Sequence, residues 1–263
     1  MGSLEALVRD WPGAAELSAQ PGAFAAALAE SAAADRVGPV KTVGDRAARA
    51  GPGAAPIDLA DGSQDLIVSL MSLHWANDLP GALSQIRRAL KPDGLFLGTL
   101  LGAGTLKELR AVLTEAELEA RGGAEARVSP FADGFDGAAL LQRAGFALPV
   151  ADVDRVTVRY PDLLALFRDL RAMGETNAVL ERRRVPTRRD VLLRAAALYA
   201  ERFADPRGRI VASFQVITMT AWAPHASQQK PLRPGSASAR LADALHTREV
   251  GLNDPVQKPA KPS

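Results

Sequence analysis

The chain has 263 residues, enough for one domain with a sizeable core plus a tail, and its formal charge of +2 is close to balance. Hydrophobic residues make up 47%, mainly Ala, Leu and Val, and aromatics only 5%, which suits helices packed on a sheet better than an aromatic-rich sandwich. Near-balanced charge argues against nucleic-acid binding, which needs a concentrated basic face. The complete lack of cysteine excludes disulfides, thiolate zinc sites, iron–sulfur clusters and a thiol nucleophile together.

Met1 to Asp10 mixes acidic and basic groups without a long apolar run, so it does not read as a signal peptide. No stretch approaches about eighteen uninterrupted apolar residues, so no membrane span is expected and a soluble, cytoplasmic protein is. Ala14 to Leu17 is the first strand candidate. A turn from Ser18 to Gly22 leads into an Ala-rich helix from Ala23 to about Ala33, and Val40 to Val43 is a second weak strand. Asp45 to Pro56 is rich in Gly, Pro and Ala and shows no period.

Asp65 to Met71 is a near-continuous apolar run of strand length, as expected for a strand covered by helices on both faces. Leu79, Leu83, Ile86 and Leu90 then recur at helical spacing, and Lys91-Pro-Asp-Gly94 stops that helix and turns the chain. Leu95 to Leu101 follows as a buried strand. Strand, helix, turn and strand make a βαβ unit with a right-handed crossover. Helices are expected over Thr105 to Ala120 and Asp136 to Ala144, a half-exposed strand over Val153 to Tyr160, helices over Leu163 to Met173 and Arg189 to Phe203, and a β-branched last strand over Ile210 to Trp222. After Pro224 the sequence turns polar, and Asp254 to Ser263 is expected to be disordered. The expected division is an α/β core over 1–160, a helical insertion over 161–208, the last core strand over 209–223 and a polar tail over 224–263.

His74, His225 and His246 lie far apart with no HxxxH or HxxEH spacing, so no metal site is expected. His74 follows the apolar strand, at the edge where open parallel sheets bind ligands. An imidazole there takes a proton from a nucleophile or orients it near neutral pH, and it equally suits a buried, hydrogen-bonded structural role. Trp75 reads as pocket wall or core, and Asp78, just before Leu79, as a helix cap. Arg182, Arg183, Arg184, Arg188 and Arg189 suit recognition of an acidic partner, or a solvated face with Glu175, Glu181 and Asp190 as counterions.

Asp61-Gly-Ser-Gln-Asp-Leu-Ile-Val-Ser69, Leu73-His-Trp-Ala-Asn-Asp78 and Ile86-Arg-Arg-Ala-Leu-Lys-Pro-Asp-Gly94, in this order and spacing, resemble the fourth strand, following helix and fifth strand of class I S-adenosylmethionine-dependent methyltransferases. Further on, Val128-Ser-Pro-Phe-Ala132, Leu140-Leu-Gln-Arg-Ala-Gly-Phe146, Asp169-Leu-Arg-Ala-Met-Gly174 and the run from His225 to Gly235 are similar to bacterial relatives of mitochondrial complex I assembly factor five. That family is close to the malonyl-carrier-protein methyltransferases of biotin synthesis, and its mitochondrial member is regarded as an arginine hydroxylase. The similarity spans about Asp61 to Leu245.

The resemblance implies a Rossmann-like, mostly parallel seven-stranded sheet with helices on both faces and a helical insertion before the last strand. It implies S-adenosylmethionine as cofactor, held by Glu16, Ser18 and Gly22 at the end of strand one, by Asp45 after strand two and by Leu73, with His74 in the reaction pocket. Glu16-Leu-Ser-Ala-Gln-Pro-Gly22 departs from the family's glycine-rich loop: Ser18 is a small residue serving in place of glycine, and Pro21 removes one amide donor. The implied partner is a protein substrate, in complex I assembly, or an acidic carrier protein bearing an acyl group. A scaffold that has kept the fold and lost the cofactor is the alternative from another class. The residues themselves leave methyl transfer and hydroxylation open, and they show no two-His-one-carboxylate site for an iron oxidant.

Overall fold

The computed structural model describes residues 9–18, 20–43, 56–128, 137–177 and 185–229. The chain divides into two units, Met1–Ala226 and Ser227–Ser263, and every element below belongs to the first. In chain order these are β1 (Ala14–Ser18), α1 (Ala23–Ala29), β2 (Val40–Val43), β3 (Gln64–Leu70), α2 (Leu79–Ala89), β4 (Leu90–Leu101), α3 (Lys107–Arg121), α4 (Gly137–Arg143), β5 (Ala147–Tyr160), α5 (Leu163–Ala172), α6 (Arg189–Phe203) and β6 (Ile210–Trp222).

The strands form one sheet in the order β2-β1-β3-β4-β6-β5. The first four are mutually parallel, and β6 runs antiparallel to both of its neighbours. Parallel strands need helical cover on both faces, and both covers are present. Ala15, Leu17, Ile67 and Phe96 pack toward Leu83 and Ile86 of α2 and Leu141 of α4. On the other face Ala14, Leu66, Val68 and Leu95 meet Trp11 and Phe24 and Leu28 of α1. A separate cluster joins α3 to the two inserted helices: Leu109, Val112 and Leu113 pack with Leu166 and Leu170 of α5 and with Leu198 and Tyr199 of α6.

The expected elements are present with shifted ends. Six strands occur among the described residues instead of seven; residues 44–55, between β2 and β3, lie outside them. The first helix stops at Ala29, and a short 3-10 turn, Ala34–Arg36, follows. Ser31 Oγ accepts the Ala33 amide at 3.2 Å, and such a local bond competes with helix continuation. Lys91-Pro-Asp-Gly94, expected as a turn between elements, is absorbed into β4. The register jumps from Gln64 opposite Leu90 to Leu66 opposite Leu95, and Asp93 takes a φ of 62°. The bulge is tolerated because Asp93 N and Gly94 O both bond to Ala223, at 3.1 and 2.8 Å.

Candidate functional site

In an open parallel sheet, ligands bind outside the carboxyl ends of the strands. Here those ends are residues 18–22 after β1, 71–75 after β3 and 102–106 after β4. The first two are tied together: Ser72 Oγ donates to Leu17 O at 3.3 Å and lies 3.1 Å from Ser69 Oγ, all of it buried. Met71, the first residue past β3, is held at φ 49°, a left-handed conformation that costs a non-glycine residue about 1 kcal/mol. Its amide bonds to Thr99 O at 2.9 Å, so the neighbouring strand fixes the turn.

Glu16 points to the α1 face and is fully buried. Its Oε1 accepts the Phe24 amide at 3.1 Å, in the first turn of α1, while Oε2 has no partner. Ser18 is committed to its own loop: its hydroxyl donates to Gln20 O at 2.9 Å and accepts Gln20 N at 3.1 Å. Gly22 precedes α1 at φ 86°, and a β-carbon there would meet nothing within 4 Å. Glu16 and Ser18 at the end of β1 and Gly22 at the start of α1 therefore flank one connection, in which glycine supplies both a left-handed turn and an open face. Asp45 lies outside the described residues.

Leu73 and His74 open a 3-10 turn, Leu73–Trp75, after β3. Leu73 is buried in the α2-side core. The His74 side chain is fully buried, and its Nε2 lies 3.0 and 3.2 Å from the two carboxylate oxygens of Glu175. Asp78 caps α2, accepting the Gly81 amide at 2.8 Å. Glu175 is therefore turned toward His74. Asp190 does pair with Arg188, at 2.6 Å; Arg182, Arg183 and Arg184 lie outside the described residues.

A cavity of about 520 Å³ lies between α3, α5 and the segments around residues 174–177 and 185–187. Its walls are largely apolar, with Leu106, Leu109, Phe167 and Phe214, and Trp75 and Glu175 bring the end of β3 to it. Arg127 lines it and is held from behind by Glu117, which is fully buried on α3. Arg127 donates from Nε to Glu117 Oε1 at 2.8 Å, and the Glu125 amide reaches Oε2 at 2.9 Å. Burial pushes the Glu117 carboxyl up, but the Arg127 guanidinium and the Glu125 amide outweigh it and hold it below the usual carboxylate range. The loop after β4 is clamped by Gln215, whose Oε1 accepts Gly104 N at 2.6 Å and whose carbonyl accepts Gly102 N at 2.8 Å. A β-carbon at Gly102 or Gly104 would fall within 3 Å of that Gln215 amide oxygen.

Glu175, Glu117 with Arg127, and Gln215 are site-forming residues that no local motif announces. Gly174 after the α5 pattern is the one usable signal, as a helix stop. Among the described residues no cluster of three metal-ligating side chains occurs, and no helix is long and apolar enough to cross a membrane.

A family model described as a methyltransferase domain matches residues 21–98, from just after the Glu16–Ser18 strand end to β4. The chain is 46% identical over 179 residues to the arginine-hydroxylase NDUFAF5, mitochondrial, of Danio rerio, covering 68% of this chain and 56% of that one. It is 40% identical over 171 residues to the malonyl-[acyl-carrier protein] O-methyltransferase of Xylella fastidiosa (strain M23), covering 65% and 56%. The chain thus spans about half the length of the curated relatives it matches. The solved structure of the YcgJ protein of Bacillus subtilis aligns with a TM-score of 0.48 at 12% identity, covering 85% of this chain and 97% of that one. The chain thus carries a methyltransferase-domain match over residues 21–98 and is related to the NDUFAF5 arginine hydroxylases and the malonyl-carrier-protein O-methyltransferases.

Proposed function

We propose that the chain binds S-adenosylmethionine at the carboxyl ends of β1 and β3 and modifies a protein substrate, in assembly of respiratory complex I. The observation that carries this reading is Glu16. A fully buried carboxylate oxygen without a donor calls for one from a ligand or water, because an unpaired buried charge is costly. It stands at the end of β1, bonded to the first turn of the helix before which Gly22 leaves a face open, so the residues present fit the cofactor. Glu16 and Gly22 would hold it, Asp45 is the position implied for its ribose, and Leu73 backs the edge from the core. Ser18 contributes by shaping the loop, since its hydroxyl is already spent on Gln20.

When bound, the cofactor supplies an activated methyl group, and the protein's share is alignment and exclusion of water. The cavity beneath the inserted helices is the acceptor site in this reading, and His74, buried behind the lining residues Trp75 and Glu175, positions that wall. A second reading, O-methylation of an acyl group on an acidic carrier protein, draws support from the 40% identical relative of that name. It also draws support from Arg171, which lines the cavity and makes no ion pair with a described residue.

Calorimetry with S-adenosylmethionine tests the cofactor claim common to both. Binding is expected, and Gly22→Val is expected to weaken it by about tenfold or more, since a branched side chain would fill the open face and strain a left-handed φ. No heat at millimolar ligand would leave the non-catalytic scaffold as the reading that survives.

A further inference from the structure

Glu175 has no assigned role, yet its surroundings are unusually well determined. α5 ends in a glycine-terminated cap: Gly174 N donates to Arg171 O at 3.1 Å and Glu175 N donates to Leu170 O at 2.8 Å, with Gly174 at φ 79°. This pair of bonds is the Schellman arrangement, which reverses the chain sharply and fixes the residue after the glycine. Glu175 is that residue. Its side chain, 10% exposed, is directed to the imidazole of His74, 101 residues earlier. Both carboxylate oxygens lie within hydrogen-bond distance of the same ring nitrogen. The contact joins the inserted helices to the end of β3, and Trp75, whose ring lies 5.1 Å from that of His74, carries it to the cavity wall.

We propose that Glu175 is a positioning residue for the reaction centre. Its carboxylate keeps the neutral imidazole of His74 in the form protonated at Nε2 and holds the Leu73–Trp75 turn against the inserted helices, so that the acceptor cavity and the edge assigned to the methyl donor keep one relative geometry. A carboxylate only accepts, so the ring nitrogen facing it must donate. That requirement selects one of two tautomers of nearly equal intrinsic stability, and an ion-paired or charge-assisted contact is stronger than a neutral one. The proposal rests on reading that edge as the donor site.

The test uses the full chain with nitrogen-15-labelled histidine, recorded at about pH 9, well above the ordinary imidazole range, so that the neutral ring is read. With only His74, His225 and His246 in the chain, the His74→Asn variant assigns the signal. In the wild type, His74 is expected to show a single tautomer protonated at Nε2. Glu175→Ala is expected to give averaged tautomers and to raise amide exchange in the Leu73–Trp75 turn by about tenfold. Glu175→Gln, which keeps the shape and is the safer variant for folding, should protect the turn but lose the tautomer preference, because its amide both donates and accepts. Averaged tautomers in the wild type, or a pattern unchanged in Glu175→Ala, would overturn the proposal. Calorimetry on the same samples separates the two claims. Absent S-adenosylmethionine binding counts against the proposed function, whereas normal binding with no tautomer selection counts against Glu175 alone.

Discussion

β1 and β3 are 5 and 7 residues long, β1 buried throughout and β3 buried over its centre, whereas β5 and β6 run for 14 and 13 residues and are largely half-buried or exposed. The parallel half of the sheet is built from apolar burial and main-chain turns. Its site is a short loop with a single uncompensated carboxylate oxygen, on Glu16. The antiparallel half carries the insertion, and beside it the cavity is framed by polar side-chain pairs: Glu117 with Arg127, and Glu175, past the end of α5, with His74 at the end of β3. Donor binding needs a fixed backbone and space, which strand ends supply irrespective of side chains. Under the proposed function, acceptor recognition needs particular side chains, and those are gathered from α3, the end of α5 and the turn after β3.

If the two halves form one cooperative unit, a cavity made in either core must lower the same transition. Leu83 and Leu166 are both fully buried, one in the core under α2 and the other among α3, α5 and α6. Replacing either by Ala should cost about 3 kcal/mol. Urea unfolding followed both by circular dichroism and by fluorescence should then show one shifted transition in each variant. Two separated transitions in Leu166→Ala would mean that the inserted helices and α3 melt as a unit of their own, apart from the parallel half.

The charged frame should fail next. Glu117→Gln leaves the Arg127 guanidinium facing an amide, and breaking such a partly buried pair should cost about 2 kcal/mol. The native Glu117 carboxyl sits below its ordinary value of 4.5. Its contribution to stability is therefore complete above about pH 4.5 and is lost as pH falls through the lower native value. The variant should lack that part of the acid dependence. Equal acid profiles for wild type and variant, measured by thermal melts from neutral pH downward, would assign the loss to other carboxylates.

The parallel half is also the more legible one. The near-continuous apolar run of β3, the spacing of Leu79, Leu83 and Ile86, and Asp78 as cap announce their elements, because each depends on residues within a few positions of one another. Arg188 finds Asp190 for the same reason. Glu175 illustrates the opposite case. Nearness in sequence makes it a counterion for the arginine run, yet the Gly174 turn directs it to a histidine 101 residues away. Gly174 itself is readable as a helix stop, but where the next side chain points is decided by packing. Glu16 is recognisable only through family resemblance, since nothing in Ala14 to Leu17 distinguishes a buried acid from a solvated one. The Lys91-Pro-Asp-Gly94 turn is read correctly as a turn and wrongly as a boundary: its outcome as a bulge depends on Ala223, more than a hundred residues on.

The smallest expected effect concerns the join between β5 and the insertion, where Tyr160 Oη donates to Asp169 Oδ2 at 2.6 Å. Burial pushes the Tyr160 phenol up, the bond to Asp169 adds to this, and the result is about 12. Tyr199, the only other tyrosine, is also raised, by burial first and by the Glu108 carboxylate second. Both phenols thus favour the neutral form in the folded state. Unfolded tyrosine ionises near 10, so the stabilisation is fully present below about pH 10 and declines as pH rises from there toward the native value. Tyrosinate absorbance should therefore stay absent in the folded protein through pH 10 and rise later, together with loss of helix signal. Tyr160→Phe removes the donor but leaves Asp169 exposed and able to hydrate, so it should cost only about 1 kcal/mol at neutral pH. The variant should also lose part of the destabilisation above pH 10, since one raised phenol is gone. A folded wild type that shows tyrosinate at the ordinary pH would mean that Tyr160 opens to solvent, and that the insertion is anchored through its shared core with α3 and not at its entry strand.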